Sequence, residues 1–336
     1  MAVSMRDVAA AASVSVGTVS NVLNNPDKVA PATVERVHKA IRRLGFVRND
    51  AARQLRAGRS RCIGLAVLDV GNPFFTDIAR AAEERAAENS LTVLLGTTDE
   101  DPERERLYLD TFDELRVYGM LVSPVGDDLT RLEQMQSRGT PVVLVDRDGT
   151  GTPFSSVAVD DVAGGAIAVH HLAEIGRRHI AFVGGPSTLR QIRDRLDGAR
   201  GAASAHAGVT VEVIETAGSD VAAGRSAAER LARIHVGRRP DAVFCANDLL
   251  ALGVVQELVL RSAAAVPEDI AIVGYDDIDF AASAVVPLTS VRQPRATIGA
   301  AAVDLLTATV DDPGRAPEHL HFQPVLVPRV STGGVG

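Results

Sequence analysis

The residues best suited to chemistry recur in one kind of position, directly after short apolar runs. Asn72, Phe74 and Phe75 follow one such run, and Asp146-Arg147 close the segment PVVLVDR. Asn247-Asp248 follow AVFCA, Tyr275-Asp276-Asp277 follow IVG, Arg195 lies in RDRLDG and Gln293 in TSVRQP. Carboxylates, amides and a guanidinium together accept from and donate to neighbouring hydroxyls, while an aromatic ring covers a C–H face. The set suits a small polyhydroxylated ligand such as a sugar. Taken singly, each residue is equally well a helix cap, since Asn247 and Asp276 stand where helices begin. Their recurrence at successive run ends favours a ligand.

Catalytic and metal patterns are absent from the sequence. There is no G-x-G-x-x-G behind an apolar run, no G-x-x-x-x-G-K-[ST] and no G-x-S-x-G. His170 and His171 are adjacent rather than four apart, so with His179 they read as helix and turn positions, not metal ligands. The paired acids Asp160-Asp161 and Asp276-Asp277 read as helix-start caps. The expectation is a binding protein, not an enzyme, that needs no cofactor beyond a small-molecule effector.

The elements that must position these residues alternate. Apolar runs at 63–68, 91–95, 120–122, 142–145, 180–183, 211–214, 242–245 and 270–273 are separated by helical spacing at 74–90, 101–115, 161–175, 219–235, 247–262 and 295–310. Repeated strand–helix units imply parallel sheets covered by helices. About 275 residues exceed one comfortable core, which implies two lobes. In such sheets ligands bind beyond the carboxyl ends of the strands, where the polar residues lie.

Charge divides the chain. The formal net charge is −8, yet residues 1–61 hold eleven basic and four acidic side chains, a local +7, leaving −15 for the rest. A basic module of this kind can meet phosphates whatever the chain average. Its punctuation is that of three short helices. Ser4 and Asp7 have capping-box character before Met5, Val8, Ala9 and Ala12. Ser15 caps a helix from about Val16 to Asn24, which Asn24-Asn25-Pro26-Asp27 ends. Pro31 opens a third, with Val34, Val37, Ile41 and Leu44 inward and Gly45 as its stop. This is the helix-turn-helix plan, whose second helix enters the major groove. Val16, Gly17 and Asn21 would read base edges, and Ser15, Thr18 and Ser20 would reach phosphates; Ser4 and Asn24 are counted with the DNA-facing set. A protein-binding three-helix module is the alternative. The sequence has no apolar stretch long enough for a transmembrane helix, and Arg6 and Asp7 interrupt any signal core, which points to a cytoplasmic protein.

The stretch MRDVAAAASVSVGTVSNVLNNPDKVAPATVERVHKAIRRLGFVRNDAARQLRAGRS resembles the DNA-binding headpiece of the lactose-repressor (LacI) family of bacterial transcription regulators. Three positions depart from the common pattern: Ala30 replaces a capping Ser, Arg48 a Pro, and Asn21 a frequent Arg. The resemblance implies that 49–57 orders on DNA as a pair of hinge helices in a dimer. Leu55 would be the minor-groove wedge, Ala52 its neighbour, and Asn49 and Arg53 would face DNA. NPFFTDIARAAEERA, LVDR, VDDVAGGAIAVHHLAEIGRRHIAFVGGP, AVFCANDLLALGVVQEL, DIAIVGYDDIDFAASAVVPLTSVRQP and RVSTG resemble the same family, whose core is similar to periplasmic sugar-binding proteins. By motif position, Phe75, Arg195, Asn247 and Asp276 are the leading effector-pocket candidates, followed by Phe74, Asp146, Arg147 and Gln293.

The expected architecture is an N-terminal all-α helix-turn-helix headpiece (1–48), a hinge (49–61) and a two-lobed, periplasmic-binding-protein-like α/β core (62–336) with parallel sheets and three crossovers. The N-lobe would take about 62–158 and 292–320, the C-lobe about 159–291 and 321–336. The expected activity is that of a ligand-responsive regulator, a repressor of a sugar operon, binding two-fold double-stranded operator DNA as a homodimer without membrane contact. A sugar-binding module without a DNA role, or a purine- or nucleoside-responsive repressor, are the alternatives.

Overall fold

The computed structural model describes residues 3–46 and 60–334 and divides the chain into two compact units, 1–58 and 59–336. Asn49, Ala52, Arg53 and Leu55, the hinge residues, lie outside the described residues.

In the first unit, α1 (Met5–Ala12) begins at a reciprocal capping box. The Asp7 amide donates to Ser4 Oγ at 3.4 Å and the Ser4 amide to Asp7 Oδ2 at 2.8 Å. Ser13, in the left-handed region at φ 52°, stops the helix. Helix α2 (Val16–Asn24) is capped by Ser15, whose Oγ accepts from the Thr18 amide at 3.0 Å. Helix α3 (Pro31–Leu44) has Pro31 at its first position but no side-chain cap at Ala30, and ends at Gly45 with φ 62°. Val8, Ala12, Val19, Val22 and Val37 form the centre of a small core. Met5, at the first position of α1, is exposed, unlike Val8, Ala9 and Ala12.

The second unit contains two six-stranded sheets. The first is built from β1 (Cys62–Val67), β2 (Thr92–Thr97), β3 (Gly119–Val122), β4 (Val142–Val145), β5 (Ser155–Val159) and β11 (His319–Phe322). All are parallel, in the order β11-β5-β4-β3-β1-β2. The second takes β6 (His179–Gly184), β7 (Thr210–Glu215), β8 (Ala242–Cys245), β9 (Ala271–Asp276), β10 (Thr289–Arg292) and β12 (Val325–Val327), in the order β12-β10-β9-β8-β6-β7. Only β12 runs antiparallel, against β10. Within each sheet the first-entered strand lies between the second and third, a doubly-wound order whose ligand crevice opens at the reversal.

The chain passes between lobes three times, between Val159 and Asp161, Arg292 and Arg295, and Phe322 and Val325. The passages fall a residue or two later than the sequence pattern placed them. Strands β5, β10 and β11 have no separate signal in the sequence, since Ser, Thr, His and Arg interrupt their apolar character, and β12 is only three residues long. The helix α8 (Arg190–Ala205) is also unmarked in the sequence, as are the shorter helical segments Thr130–Ser137 and Asp279–Ser283; Arg, Asp and two glycines dilute the period of α8. The other helices of this unit are α4 (Pro73–Glu88), α5 (Pro102–Glu114), α6 (Thr130–Ser137), α7 (Asp161–Glu174), α9 (Val221–Ala232), α10 (Asp248–Leu260), α11 (Asp279–Ser283) and α12 (Arg295–Asp311). No described helix is long and apolar enough to cross a membrane.

One helix pair governs the position of a key side chain. Helices α7 and α8 approach so closely that a Cβ on Gly165 would lie 1.9 Å from the Arg195 carbonyl oxygen, and one on Gly198 1.9 Å from that of Val162. Only glycine permits this backbone contact. It seats Arg195 beneath the carboxyl ends of β6 and β8.

Candidate functional site

The carboxyl ends of both sheets face a single cleft. It is lined from the N-lobe by Leu68, Asp69, Asn72, Phe74, Phe75, Glu100 and Asp146, and from the C-lobe by Leu189, Gln191, Ile192, Arg195, Ser219, Asn247 and Asp276.

Phe74 and Phe75 occupy the first turn of α4, with ring centroids 4.9 Å apart and edge to face. Asn72 caps that helix, its Oδ1 accepting from the Phe74 amide at 3.0 Å. The same side chain reaches across the cleft, donating from Nδ2 to Asp276 Oδ2 at 3.2 Å. Asp276 closes β9 with φ 102°, and its second oxygen accepts from Gln293 Nε2 at 2.8 Å. Asp276 is therefore no helix cap. Burial raises its pKa to about 6, against the opposing influence of Arg195 and the two amide donors.

Arg195 is the only cation lining the cleft among the described residues. Its Nε donates to Asp161 Oδ1 at 2.8 Å and one terminal nitrogen to the Ala246 carbonyl at 2.7 Å. The guanidinium carbon stacks 3.8 Å from the centre of the Tyr275 ring. Burial works against its charge, but Asp161 and the neighbouring acids outweigh that and hold it firmly protonated. Asn247 is a helix cap that also lines the cleft. Its Oδ1 caps α10 through the Leu250 amide at 2.8 Å, while Nδ2 donates to the Ser219 carbonyl at 2.8 Å, at the edge of the cleft.

Asp146 follows β4 in the left-handed region, φ 56°. Gln191 Nε2 crosses from the other lobe to its backbone oxygen and to Oδ2, both at 3.0 Å. Oδ1 is buried and has no hydrogen-bond partner among the described residues. Burial, then the nearby Asp161, push its pKa up to about 8 despite Arg195 and Gln191.

Two expected pocket residues stand behind the lining rather than in it. Arg147 turns to the Gly126 carbonyl at 3.0 Å and to Asp127 at 3.1 Å, and Asp127 also holds Arg193 of the other lobe at 2.6 Å. Gln293 is fully covered and acts on Asp276. Polar lining residues not singled out in the sequence are Asp69, Glu100, Gln191 and Ser219. Asp69 and Glu100 obey the strand-end rule, and Gln191 lies four residues before Arg195, on the same face of α8. The acids next to Asn247 and Asp276 are engaged within the C-lobe. Asp248 accepts from the Ile278 amide at 2.8 Å and Ser290 Oγ at 2.6 Å, and Asp277 pairs with Arg292 and Arg329, both at 2.7 Å.

The three histidines diverge. His170 meets His206 at 2.7 Å, His171 meets Thr332 at 2.8 Å and His179 meets Glu212 at 3.3 Å. No cluster of three or more metal-ligating side chains occurs among the described residues.

In the first unit, α2 presents Val16, Gly17 and Asn21 to solvent at its outer face, while Val19 and Val22 are buried beneath. Ser4 and Ser15 are engaged as caps, Thr18 Oγ1 lies 2.9 Å from Ser15 Oγ, and Asn24 Nδ2 donates to the Ser20 carbonyl at 2.8 Å. Of the side chains expected at phosphates, Ser15 and Thr18 thus pair with each other and Ser20 is held by Asn24.

The comparisons with known proteins agree with both units. Residues 4–49 match the family model described as bacterial regulatory proteins, lacI family, and residues 169–332 match the periplasmic binding protein-like domain. The HTH-type transcriptional repressor PurR of Aliivibrio fischeri (strain MJ11) is 33% identical over 331 residues, 97% of each chain. The ribose operon repressor of Bacillus subtilis (strain 168) is 35% identical over 306 residues, 91% of each. Among solved structures, the lac repressor dimer bound to operator and the anti-inducer ONPF superimposes with a TM-score of 0.85 at 25% identity, covering 99% of both chains. With a headpiece, a two-lobed core and full-length relatives all in agreement, the chain belongs to the LacI family of bacterial transcriptional regulators.

Proposed function

We propose that this protein is a cytoplasmic repressor that binds a two-fold operator as a homodimer and answers to a small polyhydroxylated effector, a sugar, held between its lobes. One observation carries the reading: Asn72, Asp146, Gln191, Arg195, Asn247 and Asp276 converge from both lobes on one cleft, with Phe75 along its apolar side. Such a set matches the alternating donors, acceptors and C–H faces of a sugar ring. The relative named as a ribose operon repressor supports a pentose. The solved complex of the regulator CelR with cellobiose, 32% identical to this chain, supports carbohydrate as the class.

Effector binding would set how the lobes close, and closure in the dimer would set whether the two hinge segments can order together on DNA. No metal or cofactor enters this scheme, and the relatives are regulators rather than enzymes. The test combines two measurements on the full-length protein. Operator affinity should fall steeply with salt, as counterion release requires. A thermal-shift screen of pentoses, hexoses and nucleosides should yield one that stabilises the core and alters operator affinity; at 100 times its Kd a ligand contributes about 2.7 kcal/mol. Salt-insensitive or absent DNA binding would leave a sugar-binding module, and a response to nucleosides alone would replace the sugar.

A further inference from the structure

The charge balance of the cleft narrows the effector further. Four acids line it, Asp69, Glu100, Asp146 and Asp276, against one base, Arg195. That base is already neutralised by Asp161 at 2.8 Å and spends a terminal nitrogen on a carbonyl. Neighbouring cations are also committed. Arg147 and Arg193 share Asp127, Arg190 pairs with Asp194 at 3.4 Å, and none of the three lines the cleft. A phosphate or carboxylate entering here would meet buried carboxylates and no free guanidinium.

The acceptors are unequal. Each oxygen of Asp276 already receives an amide hydrogen. Asp146 has one oxygen satisfied by Gln191 and the other, Oδ1, buried and unpartnered among the described residues. A buried acceptor left without a donor is costly, and a ligand that supplies the donor recovers that cost on binding.

We propose that this cleft selects an uncharged effector and rejects its phosphorylated and carboxylated forms, with Asp146 as the residue that reads a hydroxyl donor. The inference rests on the effector reading above and adds a specificity to it. Burial raises the proton affinity of both Asp146 and Asp276, so the surroundings already disfavour negative charge. An anionic group on the ligand meets the same low-dielectric surroundings. Glu100, also raised by burial, extends the acidic lining to the side of the cleft formed after β2.

The test is isothermal titration of the full-length protein with matched sets: neutral pentoses and hexoses beside their phosphates and aldonic acids, and neutral nucleosides beside their nucleotides. The expected result is that a neutral member binds and its anionic partners bind at least about 100-fold more weakly. A matched anion binding as tightly as its neutral parent overturns the charge selection, even if that sugar still alters operator binding. If the neutral binder is a nucleoside, the sugar reading fails while the charge selection stands. For Asp146→Asn, with folding verified by circular dichroism, the neutral ligand should lose at least about tenfold in affinity. Unchanged affinity removes Asp146 from its role. Paired substitution Asp69→Asn with Glu100→Gln should narrow the gap between neutral and phosphorylated ligand several-fold, and an undiminished gap counts against the acidic lining as its source.

Discussion

Asn72 and Asp276, 204 positions apart in the chain, share a hydrogen bond of 3.2 Å across the cleft between the lobes. Asn72 simultaneously caps α4, so the start of an N-lobe helix is tied to the end of a C-lobe strand. The two roles can be separated. Asn72→Ser keeps an oxygen for the cap and loses the reach to Asp276. Since one such bond contributes about 0.5–1.5 kcal/mol net, effector affinity should fall a few-fold with little change in melting temperature. Asn72→Ala should add a stability loss of about 1 kcal/mol from the missing cap, measurable by urea denaturation.

Gly165→Ala tests the seat of Arg195. The new methyl would overlap the Arg195 carbonyl oxygen, and backbone rather than a flexible side chain must give way. A destabilisation of about 1–3 kcal/mol is expected from overpacking, with loss of the effector's thermal shift. A variant that retains both full stability and effector response would show that the α7–α8 contact does not position Arg195.

Two opposite changes probe the headpiece. Ser15→Ala removes the cap of α2 and should cost about 1 kcal/mol; Ala30→Ser can supply the cap that α3 lacks and should gain up to about 1 kcal/mol. Amide hydrogen exchange in each helix of the full chain reads both, with faster exchange in α2 for the first and slower exchange in α3 for the second.

Effector binding should depend on pH through the cleft acids. Asp146 is faced by Asp161, Asp276, Arg195 and Gln191, and its raised value, about 8, makes it largely protonated at pH 6 when the cleft is empty. A hydroxyl donor favours the carboxylate, so ligand binding lowers that value and releases a proton. Affinity should therefore increase from pH 6 to 8, by up to about tenfold per unit, and level off above. In the empty core the sign is reversed. A carboxyl raised in the fold contributes stability at low pH that is lost as pH rises from 3.8 through about 8. Titrations at several pH values decide it, and affinity that falls toward pH 8 would mean that Asp146 donates as the acid.

Leu55→Ala addresses the hinge, which lies outside the described residues. If Leu55 wedges into the minor groove, its loss should reduce the ratio of operator to random-DNA affinity by at least about tenfold, while the salt dependence, set by phosphate contacts, stays nearly unchanged. An unaltered ratio would remove the wedge.

Much of this protein was legible without coordinates, for local reasons. Ser4 with Asp7, Ser15, Pro31 and Gly45 mark helix ends through contacts within a turn or two, and the structure has those ends. The apolar runs that become β1, β4, β6 and β8 are buried on both faces and so stand out as continuous. The strand-end rule placed Phe75, Asp146, Asn247 and Asp276 near a ligand crevice. Tertiary structure alone decided which of them line it. Arg147 and Gln293 carry the same chemistry as their neighbours, yet one turns to Asp127 and the other supports Asp276. Gln191 enters from a helix that had no clear period, and Asp146 keeps a free oxygen because Gln191 satisfies only the other. Sequence spacing sets which face of an element a side chain leaves from. What it meets there depends on two lobes joined by three passages, whose apposition brings together residues more than two hundred positions apart.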